Sequence, residues 1–311
     1  MKNDPNKEPK KKIWTMIWIL AILFLFSIII AAIIGGNNSV TNYNTAIIGV
    51  KGEIVTEGSD SFFGSGVASS TEIISQLKEA RHDPQINAII LEIDSPGGSP
   101  VATDEIAQEI KSIRNDNITV IAWIRETGAS GAYWIASGAE HITANRMSIV
   151  GSIGVYGSYL EWYGLMNKYN VTYKRLVSGE YKDSGTPLRP MSSAEEAMMQ
   201  EKLDKLHTIF IKEVATNRNM SESTLRKLAT GEIYLGIEAK ENGLIDELGG
   251  LEESKAYLTR KLNTTIETKE FARDQTFIES LMSAMQKNSF FVGQGIASAF
   301  MTKNDGMIIR T

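Results

Sequence analysis

Residues 88–99 read AIILEIDSPGGS, and this stretch decides the fold class that the sequence predicts. Its first six residues form a short apolar run rich in β-branched side chains, which is typical of a buried strand. A turn follows, and Ser99 and Pro100 then occupy the positions of a helix N-cap and first helical residue. A strand, a turn and a helix in this order form part of a β-α unit, which favours a parallel sheet.

The same alternation continues on both sides of this stretch. Short apolar runs predict strands, and apolar residues three or four positions apart predict helices. Together they indicate an α/β fold of repeated β-α units around a mostly parallel sheet. The predicted strands are 46–50, 88–93, 118–124, 152–156 and 172–177, and the predicted helices are 70–80, the segment after Ser99, 132–137, 193–216 and 221–228.

A long apolar segment precedes this pattern. Residues 13–34, IWTMIWILAILFLFSIIIAAII, carry no charge over 22 positions. About 20 apolar residues span a bilayer, whereas the apolar core of a signal peptide has about 7–15. Five lysines precede the segment, and the ten residues after it have no charge. The positive-inside rule therefore predicts a single-pass anchor in the cell membrane, with a cytoplasmic N-terminus and an extracytoplasmic remainder.

These features divide the chain into five predicted regions, each with its own composition. The largest has the ordinary size of a single domain. They are a basic cytoplasmic tail (1–12), a transmembrane anchor (13–34), a polar linker (35–44), an extracytoplasmic catalytic domain (45–262) and a charged C-terminal extension (263–311).

The composition excludes several kinds of chemistry. The chain has no cysteine, which rules out disulfides, thiolate metal sites and a cysteine nucleophile. Three histidines leave little for a histidine-rich metal site, and we expect no metal and no organic cofactor. A net charge of −5 argues against nucleic acid as the main partner.

Two loops between a strand and a helix are candidate sites, because ligands bind beyond the carboxyl ends of parallel strands. In DSPGGS (94–99), two glycines leave backbone amides bare for an anion, although an ordinary capped turn is an equal alternative. In TGASGAYW (127–134), small residues surround Ser130, so a substrate could approach its hydroxyl closely. Ser130 is a candidate nucleophile, and a simple helix N-cap is the alternative.

A serine nucleophile requires a base, and the residues alone leave its identity open. His141 follows Ser130 by eleven positions, but no acidic partner for it is apparent beyond Glu140. A lysine can serve instead when burial or a neighbouring charge lowers its pKa. Lys182, in the turn-rich loop GEYKDSGTP after a predicted strand, is the attractive candidate, although most lysines are simply solvated.

Five motifs resemble the signal peptide peptidase A family in their order and spacing. The resemblance covers about residues 46–262, and the single anchor and modest length are similar to the short form of the family, which has one catalytic unit per chain. The motifs are DSPGGS, TGASGAYWIAS, VGSIGV (150–155), SGEYKDSGTPLRPMS (178–192) and GLIDELGG (243–250).

This resemblance implies a ClpP/crotonase-like fold and a serine endopeptidase with a Ser/Lys dyad. Ser130 would be the nucleophile and Lys182 the general base, with the amides of Gly98 and Gly131 forming the oxyanion hole. The implied substrates are remnant signal peptides at the lipid bilayer. Similar short-form proteins are homo-oligomers that build each dyad from two adjacent protomers, so Lys182 would complete a neighbour's site.

Two other functions are compatible with such a fold. A crotonase-like enzyme would use the Gly-Gly turn to polarise a CoA thioester, but this explains neither Ser130 among small residues nor an external location. A non-catalytic membrane-anchored binding module would not need both dyad positions intact. The sequence therefore favours the peptidase.

Overall fold

The computed structural model describes residues 8–35, 42–58 and 66–271, and the chain divides into two compact units, 1–42 and 43–311. The first unit contains helix α1 (Glu8–Gly35), whose side chains from position 14 to 27 are exposed. Within the described ranges, we find no helix with the length and apolarity needed to cross a membrane. Most of the predicted C-terminal extension, 272–311, lies outside the described residues.

The second unit is an α/β domain whose elements follow the predicted alternation. Its strands are β1 (Thr45–Lys51), β2 (Glu53–Val55), β3 (Val67–Ser69), β4 (Ala88–Ser95), β5 (Thr119–Ala129), β6 (Ile142–Ala144), β7 (Ile149–Gly151), β8 (Ile233–Leu235), β9 (Glu247–Leu248) and β10 (Thr268–Phe271). Its helices are α2 (Ser70–His82), α3 (Pro100–Asn115), α4 (Gly131–Ser137), α5 (Tyr163–Lys168), α6 (Ser193–Asn217), α7 (Glu222–Leu228), α8 (Gly236–Glu241) and α9 (Leu251–Leu262).

The main sheet has the order β10-β1-β4-β5-β6-β9, and every pair along this path is parallel. The short strand β7 pairs with the carboxyl end of β5, and β8 is antiparallel to β7. The predicted mostly parallel sheet is therefore confirmed, with β8 as the antiparallel member. Strands β2 and β3 form a separate parallel pair.

The apolar side chains of the central strands alternate between two cores, one on each face of the sheet. Ile89 and Leu91 of β4 belong to the larger core, which includes buried residues of α2, α3, α4 and α6. Ile90 of β4 belongs to the smaller core with Leu258 of α9. Helices on both faces explain why β4 reads as an almost continuous apolar run.

Helix starts follow the local cap chemistry. Ser99 Oγ accepts a hydrogen bond from Ala102 N, with Pro100 as the first helical residue of α3. Ser192 and Glu195 form a reciprocal capping box at the start of α6. The predicted positions of both helix starts are confirmed.

Two predicted strands are wrong. The segment 152–156 is not a strand, because β7 ends at Gly151 and Ser152 takes a positive φ of +50° that breaks the extended conformation. The segment 172–177 has no regular structure, and nearly all its residues are exposed, with no neighbouring strand to pair with among the described residues. An alternating apolar pattern cannot form a strand without a partner edge.

Two further details differ from the sequence pattern. In α6, only the second half of the apolar face is buried: Phe210 and Val214 are covered, whereas Leu206 is exposed. At one edge of the main sheet, β10 pairs with β1, although the sequence pattern places the residues of β10 in the C-terminal extension. The limits of the five regions otherwise stay a prediction.

Candidate active site

Ser130 lies where β5 ends and α4 begins, at the carboxyl edge of the parallel sheet. Its backbone takes φ +54° and ψ −126°, a strained conformation for any residue with a side chain. The bond from Ser130 N to Gly151 O, 2.8 Å long, holds this turn against the end of β7. Ser130 occupies the N-cap position, but its side chain makes no capping hydrogen bond. The alternative interpretation, in which the Ser130 hydroxyl simply caps helix α4, is therefore not supported.

The Gly-Gly turn lies directly against Ser130. Gly97 has φ +96°, and a Cβ added there would stand 2.8 Å from Ser130 Cβ and 2.8 Å from Gly131 N. Ile54 of β2 fixes the turn, because Ile54 N donates to Gly97 O over 2.9 Å and Ser99 N donates to Ile54 O over 2.8 Å. In this parallel bridge the amide of Gly98 faces away from β2.

Gly131 supplies a second unused amide beside Ser130. It is the first residue of α4, so its N–H has no acceptor within the helix. A Cβ at Gly131 would stand 2.4 Å from Thr103 Oγ1, a buried hydroxyl without a hydrogen-bond partner in the described chain. Only glycine fits between Thr103 and the start of α4 without displacing one of them.

Two cavities open beside Ser130. The smaller, of about 370 Å³, is mainly apolar, and its floor includes Trp134 stacked on Phe210 with ring centroids 5.0 Å apart. The larger is a groove of about 1010 Å³ that shares Ser130 and Gly98 with the first. A peptide chain fits a groove, and an apolar side chain fits the adjoining cavity.

Four carboxylates and one imidazole line these cavities. Asp104 and Glu105 line the smaller cavity, and Glu53, Asp204 and His207 line the groove. Among the described residues, neither lining contains a lysine or an arginine. A lysine amine that could act as the base for Ser130 is thus not present in the lining that this protomer provides.

Lys182 lies in a series of turns between α5 and α6, and its side chain is exposed. Its amide donates to Gly179 O over 3.1 Å, but no hydrogen bond or ion pair of its amine is found among the described residues. Among the described residues, no hydrogen bond joins it to Ser130, and it lines neither cavity. The structure therefore brings Ser130, Gly98 and Gly131 together in the lining of the smaller cavity, and Lys182 is not part of that lining.

His141 does not serve Ser130. It directly precedes β6, and the register pairs Ile142 with Ala122, eight residues before Ser130. At about 3.3 Å per residue, this places His141 roughly 25 Å along the sheet from Ser130. Its ring stacks on Tyr257, and its Nε2 lies 3.1 Å from Glu247 Oε2, so it has a structural environment of its own.

Sequence reasoning missed most of the residues that shape the cavities. Trp134 belongs to the motif 127–134, so its position was available, but its partner Phe210 lies 76 positions later. Leu206 and Ile209, on the same helix as Phe210, complete the wall. The apolar residues of α6 predict a helix that packs against other elements, and their pattern does not indicate that some of them line a cavity.

Comparison with known sequences gives the family. The sequence profile described as peptidase family S49 matches residues 112–265, a range that includes Ser130, Gly131 and Lys182. Gly98 precedes this range.

Individual relatives agree with the profile. A putative signal peptide peptidase SppA of Enterococcus faecium is 31% identical over 295 residues, with 86% of each chain covered. A putative protease of Methanocaldococcus jannaschii is 32% identical over 206 residues, which is 66% of each chain. Protease 4 of Haemophilus influenzae is 30% identical over 209 residues, and this chain spans 33% of its length.

These matches separate the candidate functions. Each similar protein above carries the name of a protease or peptidase, and the enterococcal protein matches along most of its length. The crotonase-like and non-catalytic alternatives have no such support. The chain belongs to peptidase family S49 and is a serine peptidase.

Proposed function

We propose that Ser130 is the nucleophile, that Lys182 is its general base, and that the amides of Gly98 and Gly131 form the oxyanion hole. One observation carries the assignment of the nucleophile: a strained serine without a capping bond lines the same cavity as Gly98 and Gly131, whose amides make no backbone hydrogen bond among the described residues. The proposed chemistry requires neither a metal nor an organic cofactor.

In the proposed reaction, the amine of Lys182 takes the proton of the Ser130 hydroxyl, and Ser130 Oγ attacks the peptide carbonyl carbon. The negative charge that develops on the carbonyl oxygen is stabilised by the amides of Gly98 and Gly131, whose positions are fixed before the reaction. Protonated Lys182 gives its proton to the leaving amine. Water then hydrolyses the acyl-enzyme, with the same amine as base.

The dyad is proposed to form between two copies of this chain. Lys182 is exposed and lines neither cavity beside Ser130 in its own protomer, which supports a base supplied by a neighbour. The segment that carries it also exposes many large apolar side chains, which is unusual for a surface that stays in water. They are Tyr156, Tyr159, Leu160, Trp162, Tyr163, Leu165, Tyr169, Val171, Tyr173, Leu176 and Tyr181.

The proposed substrates are remnant signal peptides, which the enzyme would degrade after their release from secretory proteins. The apolar cavity beside Ser130 supports this class, because the central region of a signal peptide is apolar. The name of the enterococcal relative points in the same direction.

The proposed location follows from the sequence of residues 13–34. Their uncharged, apolar character supports insertion in the cell membrane, with the basic residues 1–12 in the cytoplasm and the peptidase domain outside. Protease treatment of sealed cells tests this topology. The domain should be digested from outside, and its protection would overturn the orientation.

The dyad is tested by peptide cleavage with the full-length protein in detergent. Ser130→Ala and Lys182→Ala should each abolish turnover while the melting temperature stays near that of the wild type. Lys174→Ala is the matched control, because Lys174 is an exposed lysine of the same segment. Full activity of Lys182→Ala would refute the assignment of the base.

Sharing between protomers is tested by mixing the two inactive variants during assembly. A site built from two copies should regain part of its activity, since some sites then combine an intact Ser130 with an intact Lys182. No recovery in oligomers whose mixing is verified by mass would show that each protomer is self-contained.

A further inference from the structure

The loop that carries Lys182 is held by a charge network that the proposed reaction does not yet use. Asp183 is its first centre. Arg175 donates two hydrogen bonds to this carboxylate, of 2.8 and 2.7 Å, and Arg189 donates two more, of 3.2 and 3.1 Å. Two forked guanidinium groups thus grip the residue that directly follows Lys182.

Glu195, in the first turn of α6, is the second centre. The residue is 4% exposed, and its carboxylate accepts two hydrogen bonds from Arg189, of 2.9 and 2.6 Å. Ser184 Oγ donates to it over 2.8 Å, and Ser192 donates through its amide and its hydroxyl, each over 2.9 Å. Arg189 therefore joins the Lys182 loop to the start of a long helix.

The network also reaches the residues before Lys182. Arg175 donates to Glu180 O over 3.0 Å, while the same guanidinium holds Asp183. The backbone on both sides of Lys182 is fixed in this way, although the lysine side chain itself is exposed. A fixed backbone under an exposed amine is the arrangement needed to direct that amine toward a target outside its own loop.

The electrostatics agree with a network that stays charged. Hydrogen bonds from Arg175 and Arg189 hold the pKa of the Asp183 carboxyl well below its usual range. Hydrogen bonds from Arg189, and from Ser192 and Ser184, do the same for Glu195. Both carboxylates therefore stay charged at any pH at which a peptidase would be assayed, and their hydrogen bonds with Arg175 and Arg189, here called the clamp, persist.

We propose that Arg189 is a positioning residue for the general base, acting through Asp183 and Glu195 to aim the Lys182 backbone. This proposal rests on the proposed role of Lys182. A misplacement of about 1 Å in a reacting group can lower a rate by about 100-fold, so a clamp on the neighbouring residues matters for chemistry. Arg189 itself does not touch the reacting atoms.

Arg189→Lys tests the proposal, because it keeps the positive charge and removes the fork that serves two carboxylates at once. We expect kcat for a chromogenic peptide to fall about 10- to 100-fold, with KM unchanged within about twofold. The matched control is Arg226→Lys, an exposed arginine on α7 whose ion pair with Glu222 spans 4.0 Å. It should keep the wild-type kcat.

Two readouts separate positioning from a general loss of structure. The first is the split between the two kinetic constants: kcat should fall in Arg189→Lys while KM stays near the wild-type value, because the groove and the cavity beside Ser130 do not include Arg189. Melting temperature and oligomer mass should stay close to those of the wild type. A rise in KM that accompanies the fall in kcat, or a loss of oligomer mass, would assign Arg189 a purely structural role and overturn the proposal.

The result for Lys182→Ala distinguishes a failure of the proposed base from a failure of the proposed positioning role of Arg189. If Lys182→Ala is inactive and Arg189→Lys has the wild-type kcat, the base stands and the clamp is refuted. If Lys182→Ala is active, the proposed function itself fails. Glu195→Gln is a second variant for the clamp: it keeps the shape of the side chain, weakens the grip on Arg189, and should reproduce the direction of the Arg189→Lys effect.

Discussion

The close approach of Gly131 to Thr103 gives a prediction that tests the proposed oxyanion hole by steric means. Gly131 is helical, and alanine is otherwise favoured in a helix, so the backbone alone does not exclude Gly131→Ala. The obstacle is the Thr103 hydroxyl, which would lie 2.4 Å from the new Cβ, against the 3.4 Å or more of an ordinary contact. The two groups must therefore separate by about 1 Å.

The expected magnitude follows from what moves. Thr103 is 1% exposed and belongs to α3, so its backbone is held by that helix, and we expect the start of α4 to shift instead. That shift carries away the amide proposed as an oxyanion donor. The loss of one such donor lowers the rate about 100- to 1000-fold, or roughly 2.7–4 kcal/mol of transition-state stabilisation. We expect kcat/KM of Gly131→Ala to fall within this range.

The same contact defines a rescue and its control. In Gly131→Ala/Thr103→Ala, the nearest remaining atom of residue 103 is its Cβ at 3.4 Å, so α4 can return and most activity should recover. Thr103→Ala alone loses no hydrogen bond and should cost about 1 kcal/mol of stability. Gly131→Ala/Thr103→Val keeps the bulk and should stay slow.

Peptide hydrolysis measured on all four variants, together with their melting temperatures, checks this reasoning. Wild-type kcat/KM in Gly131→Ala would refute the role of the Gly131 amide. A folded double variant with Thr103→Ala that stays as slow as Gly131→Ala would refute the steric explanation.

Three further predictions concern stability. The pKa values of the Asp183 and Glu195 carboxyls are lowered, so their contribution to stability is present above the ordinary carboxyl pKa of about 4 and is lost as the pH falls below it. Between pH 7 and pH 3, urea unfolding should therefore show a smaller loss of stability in Glu195→Gln than in the wild type. Equal losses would contradict this. Tyr133 is fully buried and donates to Leu244 O over 2.8 Å, so Tyr133→Phe should lower the free energy of unfolding by about 1–2 kcal/mol in urea melts; Tyr173→Phe, at an exposed position, is the control. Arg218 donates hydrogen bonds to both carboxylate oxygens of Asp246, of 2.8 and 2.7 Å. Arg218→Met should therefore lower the free energy of unfolding by about 2 kcal/mol without changing KM. A urea midpoint equal to that of the wild type would disprove this.

The sequence alone determined the features that depend on neighbouring residues. The apolar run 88–93 predicted β4, and Ser99 with Pro100 predicted the start of α3, because burial patterns and cap bonds involve residues within one turn or one strand. The strand-to-helix loops around Gly98 and Ser130 were also found in this way. The family followed from the motifs in those loops.

Where a pattern needed a distant partner, the sequence was a poor guide. The segments 152–156 and 172–177 resemble strands by composition, but strand formation depends on an available edge, which no local pattern reveals. The pattern of α6 predicted a helix but not which part of its apolar face is buried: Phe210 and Val214 are covered, whereas Leu206 is exposed and lines the cavity.

Only the tertiary structure decided how the site is held. Ile54 fixes the Gly98 turn from 44 positions away, Phe210 meets Trp134 across 76 positions, and Thr103 leaves room for glycine alone at position 131. The structure also shows that two arginines and two carboxylates hold the Lys182 loop, through contacts over only six to eight positions whose geometry the irregular turns set. The physical reason for the contacts of Ile54, Phe210 and Thr103 is different: they join residues that approach one another only after the sheet and its helices have packed, and their distances are set by that packing and not by their spacing along the chain.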